Sequence, residues 1–192
     1  MLPIKVHEHL ELRLMQEDDG HEFFETIESN RQHLLPWFNF LDSTNSVHDA
    51  RTFITRAQKN YEDTGRFWAA VFYCEKLAGC VGLTKLEPDN HSAEIGYWLS
   101  CDFVGKGIIT KVGRELVHRL FIQYGLNRIV IQCATDNSRS MAVAHRLGFY
   151  NEGTLRQAEF YNGRFRDIAI YSLLADEWRE RQPSTEGELS SY

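Results

Sequence analysis

Two glycines flank a lysine at Val104-Gly105-Lys106-Gly107-Ile108, directly ahead of the strongest helical pattern in the chain. Such a loop lets backbone approach a ligand closely, and the helix behind it offers unpaired N–H groups and the positive end of its dipole. A pyrophosphate suits that arrangement. Glycine is also the default residue of tight turns, so the loop by itself leaves anion cradle and plain turn both open. Other chemistry-bearing groups are sparser. His7-Glu8-His9 has no third ligand at a suitable spacing, and there is no H-E-x-x-H or paired-Cys motif, so no metal is expected. Cys74, Cys80, Cys101 and Cys133 lack ligand spacing and read as reduced thiols, three of them in apolar strand-like runs.

The elements around the loop follow from periodicity. Leu10, Leu12 and Leu14 alternate with Glu11 and Arg13, a strand pattern, and Asp18-Asp19 open a helical stretch to about Arg31. Leu34 to Leu41 is apolar but broken by Pro36, which predicts a buried loop carrying large aromatics. A helix is expected over Ser46–Asp63, capped by Ser46. Three strands, Phe67–Tyr73, Leu77–Lys85 and Ser92–Ser100, then form an antiparallel meander. From Ile108 the positions Val112, Leu116, Leu120, Phe121 and Tyr124 recur at helical steps, with Gly125 at the C-terminal end. A strand over Arg128–Cys133, a helix over Asn137–Leu147 and a hairpin over residues 155–174 about Asn162-Gly163 complete the order. This is an α/β (α+β) domain with a mixed, mostly antiparallel twisted sheet of about seven strands and flanking helices. The glycine loop follows a meander, which excludes a doubly wound dinucleotide fold.

Whole-chain properties narrow the function. The 192 residues, 43% hydrophobic and 25% charged, suit one globular domain over 1–182, and the polar 183–192 tail reads as disordered. A net charge of −6 without any basic run interleaved with aromatics argues against nucleic acid. There is no signal-peptide stretch and no run near the roughly 18 apolar residues of a membrane span, so a cytoplasmic protein is expected.

Three motifs in order give the loop its context. They are Ala93-Glu94-Ile95-Gly96-Tyr97-Trp98-Leu99, Gly105-Lys106-Gly107-Ile108-Ile109-Thr110, and Asn137-Ser138-Arg139-Ser140 with Arg146-Leu147-Gly148-Phe149. Together they resemble the GNAT acetyltransferase superfamily. Asn30-Arg31 with Leu35-Pro36-Trp37, and Glu152-Gly153-Thr154-Leu155-Arg156 with Asn162-Gly163, Asp167, Tyr171 to Leu174 and Trp178, look like its RimJ/RimL type. The resemblance covers roughly residues 8–180 and implies acetyl-CoA as cosubstrate, without a metal, and acetyl transfer to an amine. The acceptor it implies is the N-terminus of a ribosomal protein.

The resemblance also assigns residues. The strands over Ser92–Ser100 and Arg128–Cys133 would splay apart, and in the gap Tyr97, Trp98 and Leu99 would offer a backbone edge to pantetheine, as an extended ligand adds to a strand. Val104, Gly105, Lys106, Gly107 and Ile108 would hold the pyrophosphate, with Asp102 departing from the usual Arg or Gln. Asn137 would bind the pantetheine amide, although capping the following helix suits it equally. Arg139 would reach a CoA phosphate. The tyrosine that protonates the departing thiolate in many members is replaced by Ala144, and Ser140 stands where RimL-like enzymes place a serine. A serine is a poor net acid toward a thiolate, so its expected role is a stabilising hydrogen bond. Glu94 matches the general base of some members, and strand alternation puts it on the face of Trp98. Arg31, Trp37, Phe38 and Tyr161 are candidates to line the acceptor cleft.

Two rival readings stand. Relatives with the same core acetylate polyamines, aminoglycosides or amino acids, and a non-catalytic CoA-binding or partner-binding module is conceivable because of Ala144. Self-association is left open by the sequence.

Overall fold

The strands are β1 (Ile4–His7), β2 (Leu10–Leu14), β3 (Trp68–Tyr73), β4 (Lys76–Glu87), β5 (Ser92–Leu99), β6 (Arg128–Ala134), β7 (Tyr150–Tyr161) and β8 (Arg164–Leu174). The helices are α1 (Gly20–Ser29), α2 (Arg31–Leu34), α3 (Val47–Thr64), α4 (Ile108–Ile122), α5 (Ser138–Arg146) and α6 (Ala175–Glu180). In this computed structural model, which describes residues 2–182, the strands form one sheet in the order β1-β2-β3-β4-β5-β6-β8-β7. Every neighbouring pair is antiparallel except β5 with β6.

Two cores lie against the sheet. One joins Leu12, Val71, Val81, Ile95, Ile129 and Tyr171 to the apolar side of α4, where Val112, Leu116 and Leu120 are fully buried. The other joins Ala70, Cys80 and Trp98 to Phe23 and Ile27 of α1 and Ile54 of α3. Ile95 and Trp98 therefore serve opposite cores, as alternation along β5 requires. The long helices follow their sequence signals. Ser46 caps α3 by accepting from the Asp49 N–H at 3.2 Å, and Gly65 ends it at φ +75°.

The structure corrects three boundaries. The sheet has eight strands, because Ile4–His7 pairs with β2; at four residues, half of them polar, this strand is too short for periodicity to reveal. The 155–174 hairpin starts earlier, at Tyr150. The single helix expected from Asp18 to Arg31 is a 3-10 turn followed by α1 and α2, broken at Asn30. The break is made by the Asn30 side chain. Asn30 is buried, donates from Nδ2 to the Thr26 carbonyl (2.8 Å) and accepts at Oδ1 from the Cys101 N–H (2.7 Å). It thus ties the end of α1 to the segment leading into the glycine loop. Asn30→Ala would remove both bonds and leave the part-buried Cys101 N–H without its partner, and is expected to destabilise the fold by about 1–2 kcal/mol, read from denaturant midpoints at unchanged slope. An unaltered midpoint would show that water takes over both bonds.

No helix among the described residues is long and apolar enough to cross a membrane, and none of their His, Cys, Asp and Glu side chains form a group of three or more able to hold a metal. The 183–192 tail lies outside the described residues.

Candidate acetyl-transfer site

Strands β5 and β6 pair only from Ser92–Glu94 against Arg128–Val130. Beyond Glu94, β5 stays with β4 and β6 stays with β8, so the sheet splits. The split is the middle of a cleft of about 1400 Å³, walled by Ile95–Leu99 on one side and Ile131–Ala134 on the other. The β5 backbone facing that gap has no strand partner past Glu94, so an extended amide-bearing ligand can satisfy its donors and acceptors. The side chain of Trp98 is spent on the second core, 6.1 Å from the Phe23 ring, which leaves its backbone for the cleft.

At one end of the cleft stands the N-terminus of α4. Gly107 is its N-cap at φ +71°, Gly105 sits at φ +82°, and no side chain caps the helix. A Cβ built on either glycine would meet nothing within 4 Å, so the loop presents open backbone. The first-turn N–H groups of α4 are left for an anion. Val104, Ile108, Lys111 and Arg114 line the cleft here, Arg146 reaches the Thr110 hydroxyl at 3.3 Å, and Arg139 lines the cleft from the first turn of α5. Lys106 is not on the cleft wall; its ammonium lies 5.1 Å from the centre of the Phe103 ring. Asp102 is exposed and does not line the cleft either.

The wall opposite β5 is the start of α5. Asn137 accepts from the Ser140 N–H at 3.1 Å, so it does cap α5. Capping uses only its carbonyl oxygen, and no protein group among the described residues takes its amide hydrogens. Ser140 lies on the cleft wall, and its hydroxyl is 3.1 Å from the phenol oxygen of Tyr97. Burial pushes the Tyr97 phenol well above the usual tyrosine range, the bond to Ser140 partly countering it. Cys133 is next to the same hydroxyl. Burial raises its thiol, with Ser140 drawing it back.

At the other end, Glu94 is pinned on both sides. One carboxylate oxygen accepts from the Thr84 hydroxyl at 2.6 Å and the other from the Gln132 amide at 2.9 Å. The extra residue in the β4–β5 register falls in β4, between Leu83 and Lys85, so alternation in β5 is unbroken and Glu94 does share the face of Trp98. Trp37 and Phe38 are half-buried on the cleft wall, backed by a run of rings from Phe38 through Phe40 (5.8 Å) to Phe53 (5.9 Å). Arg31 and Tyr161 are not on the wall. Arg31 donates to the carbonyls of Leu41 (2.9 Å) and Thr44 (2.6 Å), and the Tyr161 hydroxyl donates to that of Leu35 (2.5 Å). Both shape the aromatic loop from behind.

Sequence reasoning missed several residues of the wall. Glu159 and Arg166 face each other across the hairpin and pair at 2.7 Å, and Arg166 also donates to the Pro36 carbonyl at 2.8 Å. That pair was available by counting outward from the Asn162-Gly163 turn, whose two residues at φ +50° and +75° are type I′. Lys111 and Arg114 were available from their spacing on the polar side of α4. Thr84 and Gln132 were not, since each depends on a β-register that no local pattern reveals.

Comparison with known proteins gives this architecture a family. Residues 9–150 match the acetyltransferase (GNAT) domain, and the chain belongs to that family. It is an acetyl-CoA-dependent N-acetyltransferase. It is 38% identical over 179 residues to YdaF of Bacillus subtilis (strain 168), a proposed ribosomal N-acetyltransferase, covering 93% of this chain and 98% of that one. It is 35% identical over 176 residues to the ribosomal-protein-serine acetyltransferase of Escherichia coli (strain K12), covering 90% and 97%. The crystal structure of RimL, the ribosomal L7/L12 alpha-N-protein acetyltransferase, in complex with coenzyme A superposes with a TM-score of 0.87 at 28% identity, over 92% of this chain and 99% of that one.

Proposed function

We propose that this enzyme, acting in the cytoplasm, transfers the acetyl group of acetyl-CoA directly to the α-amino group of a protein N-terminus, that of a ribosomal protein. The observation that carries it is one continuous cleft, in which an uncapped helix N-terminus, a split sheet and a pinned carboxylate follow one another. Two relatives of nearly full coverage named for ribosomal-protein acetylation support the acceptor class.

In this reading the amides of Val104–Ile108 and the first turn of α4 hold the pyrophosphate, Arg139 takes a further phosphate, and the β5 backbone with Asn137 aligns the pantetheine arm. Lys106 adds charge at the rim. The acceptor enters past Trp37 and Phe38. Its nitrogen attacks the thioester carbon, the C–N bond forms and negative charge moves to the carbonyl oxygen, where a strand N–H stabilises it. The C–S bond then breaks with its electron pair leaving on sulfur, Ser140 donates a hydrogen bond to that sulfur, and the proton released by nitrogen ends on the thiolate. Before the attack, Glu94 takes through water the extra proton of the ammonium form; the proton that ends on sulfur is the second one, released by nitrogen once the C–N bond has formed. The task is light for an N-terminus: an α-amine of pKa about 7.8 costs roughly 1 kcal/mol to deprotonate at pH 7, against about 4.6 kcal/mol for a lysine-like amine of pKa about 10.4.

The test is thiol release from acetyl-CoA with peptides carrying ribosomal-protein N-termini against spermidine, an aminoglycoside and free amino acids. Peptide turnover is expected to exceed that of any small amine by about tenfold or more in kcat/KM. Glu94→Gln should lower peptide turnover most below pH 7, where the amine is protonated. Turnover confined to small amines removes the acceptor assignment, and acetyl-CoA binding without any turnover favours the non-catalytic module.

A further inference from the structure

Tyr97 enters the sequence argument only as backbone, yet its side chain reaches the reacting end of the cleft. It projects from β5 across the split to α5, 43 residues later in the chain, where its hydroxyl lies 3.2 Å from the Ser140 carbonyl oxygen and 3.1 Å from the Ser140 hydroxyl. Among the described residues these are the only hydrogen bonds from a β5 side chain to α5. Ser140 and Tyr97 both face the cleft, so they sit beside whatever the split sheet receives. A serine hydroxyl has one hydrogen and two lone pairs. When its hydrogen is directed at an anionic sulfur, its oxygen is left to accept; of the two donors beside it the phenol, whose single hydrogen then turns from the Ser140 carbonyl to the hydroxyl, is stronger than the Cys133 thiol. Hydrogen bonds in such a chain polarise one another, so a donor behind Ser140 makes Ser140 a better donor in front.

We infer that Tyr97 is a positioning residue for thiolate departure: its phenol fixes and polarises the Ser140 hydroxyl, which in turn donates to the sulfur of the leaving coenzyme. The inference rests on the role given to Ser140 above. Tyr97 transfers no proton. Its hydroxyl remains neutral throughout, consistent with the burial that holds the phenol protonated, and the proton that ends on sulfur is still the one released by the acceptor amine. The arrangement also locks the geometry. The Tyr97 ring packs against the core beneath α4, so the hydroxyl is carried by a rigid strand rather than by a loop.

Tyr97→Phe keeps the ring and removes one oxygen. Its kcat is expected to fall about five- to tenfold, the usual weight of one buried hydrogen bond, while KM for acetyl-CoA stays within about twofold. In the Ser140→Ala background the same substitution should lower kcat no further, since the two act as one unit. A second readout uses the seleno analogue of acetyl-CoA, whose leaving group is the weaker base: the Tyr97→Phe defect should shrink with it. A merely structural tyrosine would shift the melting temperature and KM and would leave the response to the leaving group unaltered. If Ser140→Ala slows the reaction but Tyr97→Phe does not, or if the two losses multiply, this inference fails and the Ser140 role survives. If Ser140→Ala leaves kcat unchanged, the Ser140 role fails and the inference with it.

Discussion

Ser140→Ala is expected to lower kcat by about one to two orders of magnitude, with KM for acetyl-CoA and thermal stability nearly unchanged. The stability half of that expectation follows from the helix. Asn137 caps α5 through the backbone N–H of residue 140, which alanine retains, and alanine is the best helix former. Beyond the Tyr97 phenol and the Cys133 thiol, the hydroxyl has no protein partner among the described residues. The kinetic half follows from where charge develops. Removing one oriented donor from a site that stabilises a developing anion costs about 10²–10³ in kcat when the anion is oxygen, and a diffuse thiolate accepts more weakly, which lowers the figure. Steady-state thiol release with a saturating peptide acceptor reads it. Unchanged kcat would remove Ser140 from the mechanism, whereas a rise in KM alone would reduce it to ground-state binding.

The position of the missing tyrosine is closed by packing. Ala144 lies one helical turn beyond Ser140 and is fully buried in the main core, so that position has no room for a larger side chain. The space a phenol would need is filled by packing, and the phenol that does reach Ser140, that of Tyr97 on β5, is proposed only to position it. An Ala144→Tyr exchange would therefore overpack the core rather than restore an acid.

How much of this was legible before the coordinates depended on the range of the interaction. The motifs around Glu94, Gly105 and Asn137 are local, and their order carried the family and the cleft. Helix α4 and the Asn162-Gly163 turn were legible because a 3.6-residue period and a two-residue type I′ loop are each written in adjacent residues. The split between β5 and β6 is a failure of pairing that no strand pattern records; it was legible only through the family resemblance, which implies that these two strands splay apart, and it decides which backbone a ligand can reach. Two things were not legible. The partners of Glu94 sit on two other strands, one displaced by a bulge. Arg31 and Tyr161 were placed in the acceptor wall by chain position alone, whereas long polar side chains beside an irregular loop tend to satisfy its carbonyls, as both do here.

Gly107→Val is expected to weaken acetyl-CoA binding by about two orders of magnitude, and a companion substitution can show why. Two costs act on valine at this position. The backbone is left-handed at φ +71°, which for a β-branched residue costs of order 1–3 kcal/mol. Its side chain also enters the open space above the first turn of α4, where no protein atom stands within 4 Å of a Cβ and where the phosphates must approach. Gly107→Asn separates the two, since asparagine tolerates the left-handed region with little strain but still carries a Cβ. If the glycine serves the turn alone, Asn should bind acetyl-CoA like the parent while Val loses both stability and affinity. If the glycine serves close backbone approach, Asn should keep the melting temperature and still lose affinity about tenfold or more by calorimetric titration. The pyrophosphate reading requires the second result. It also requires little loss from Lys106→Ala, because that side chain lies over Phe103 and leaves the anion to the backbone of the loop and α4.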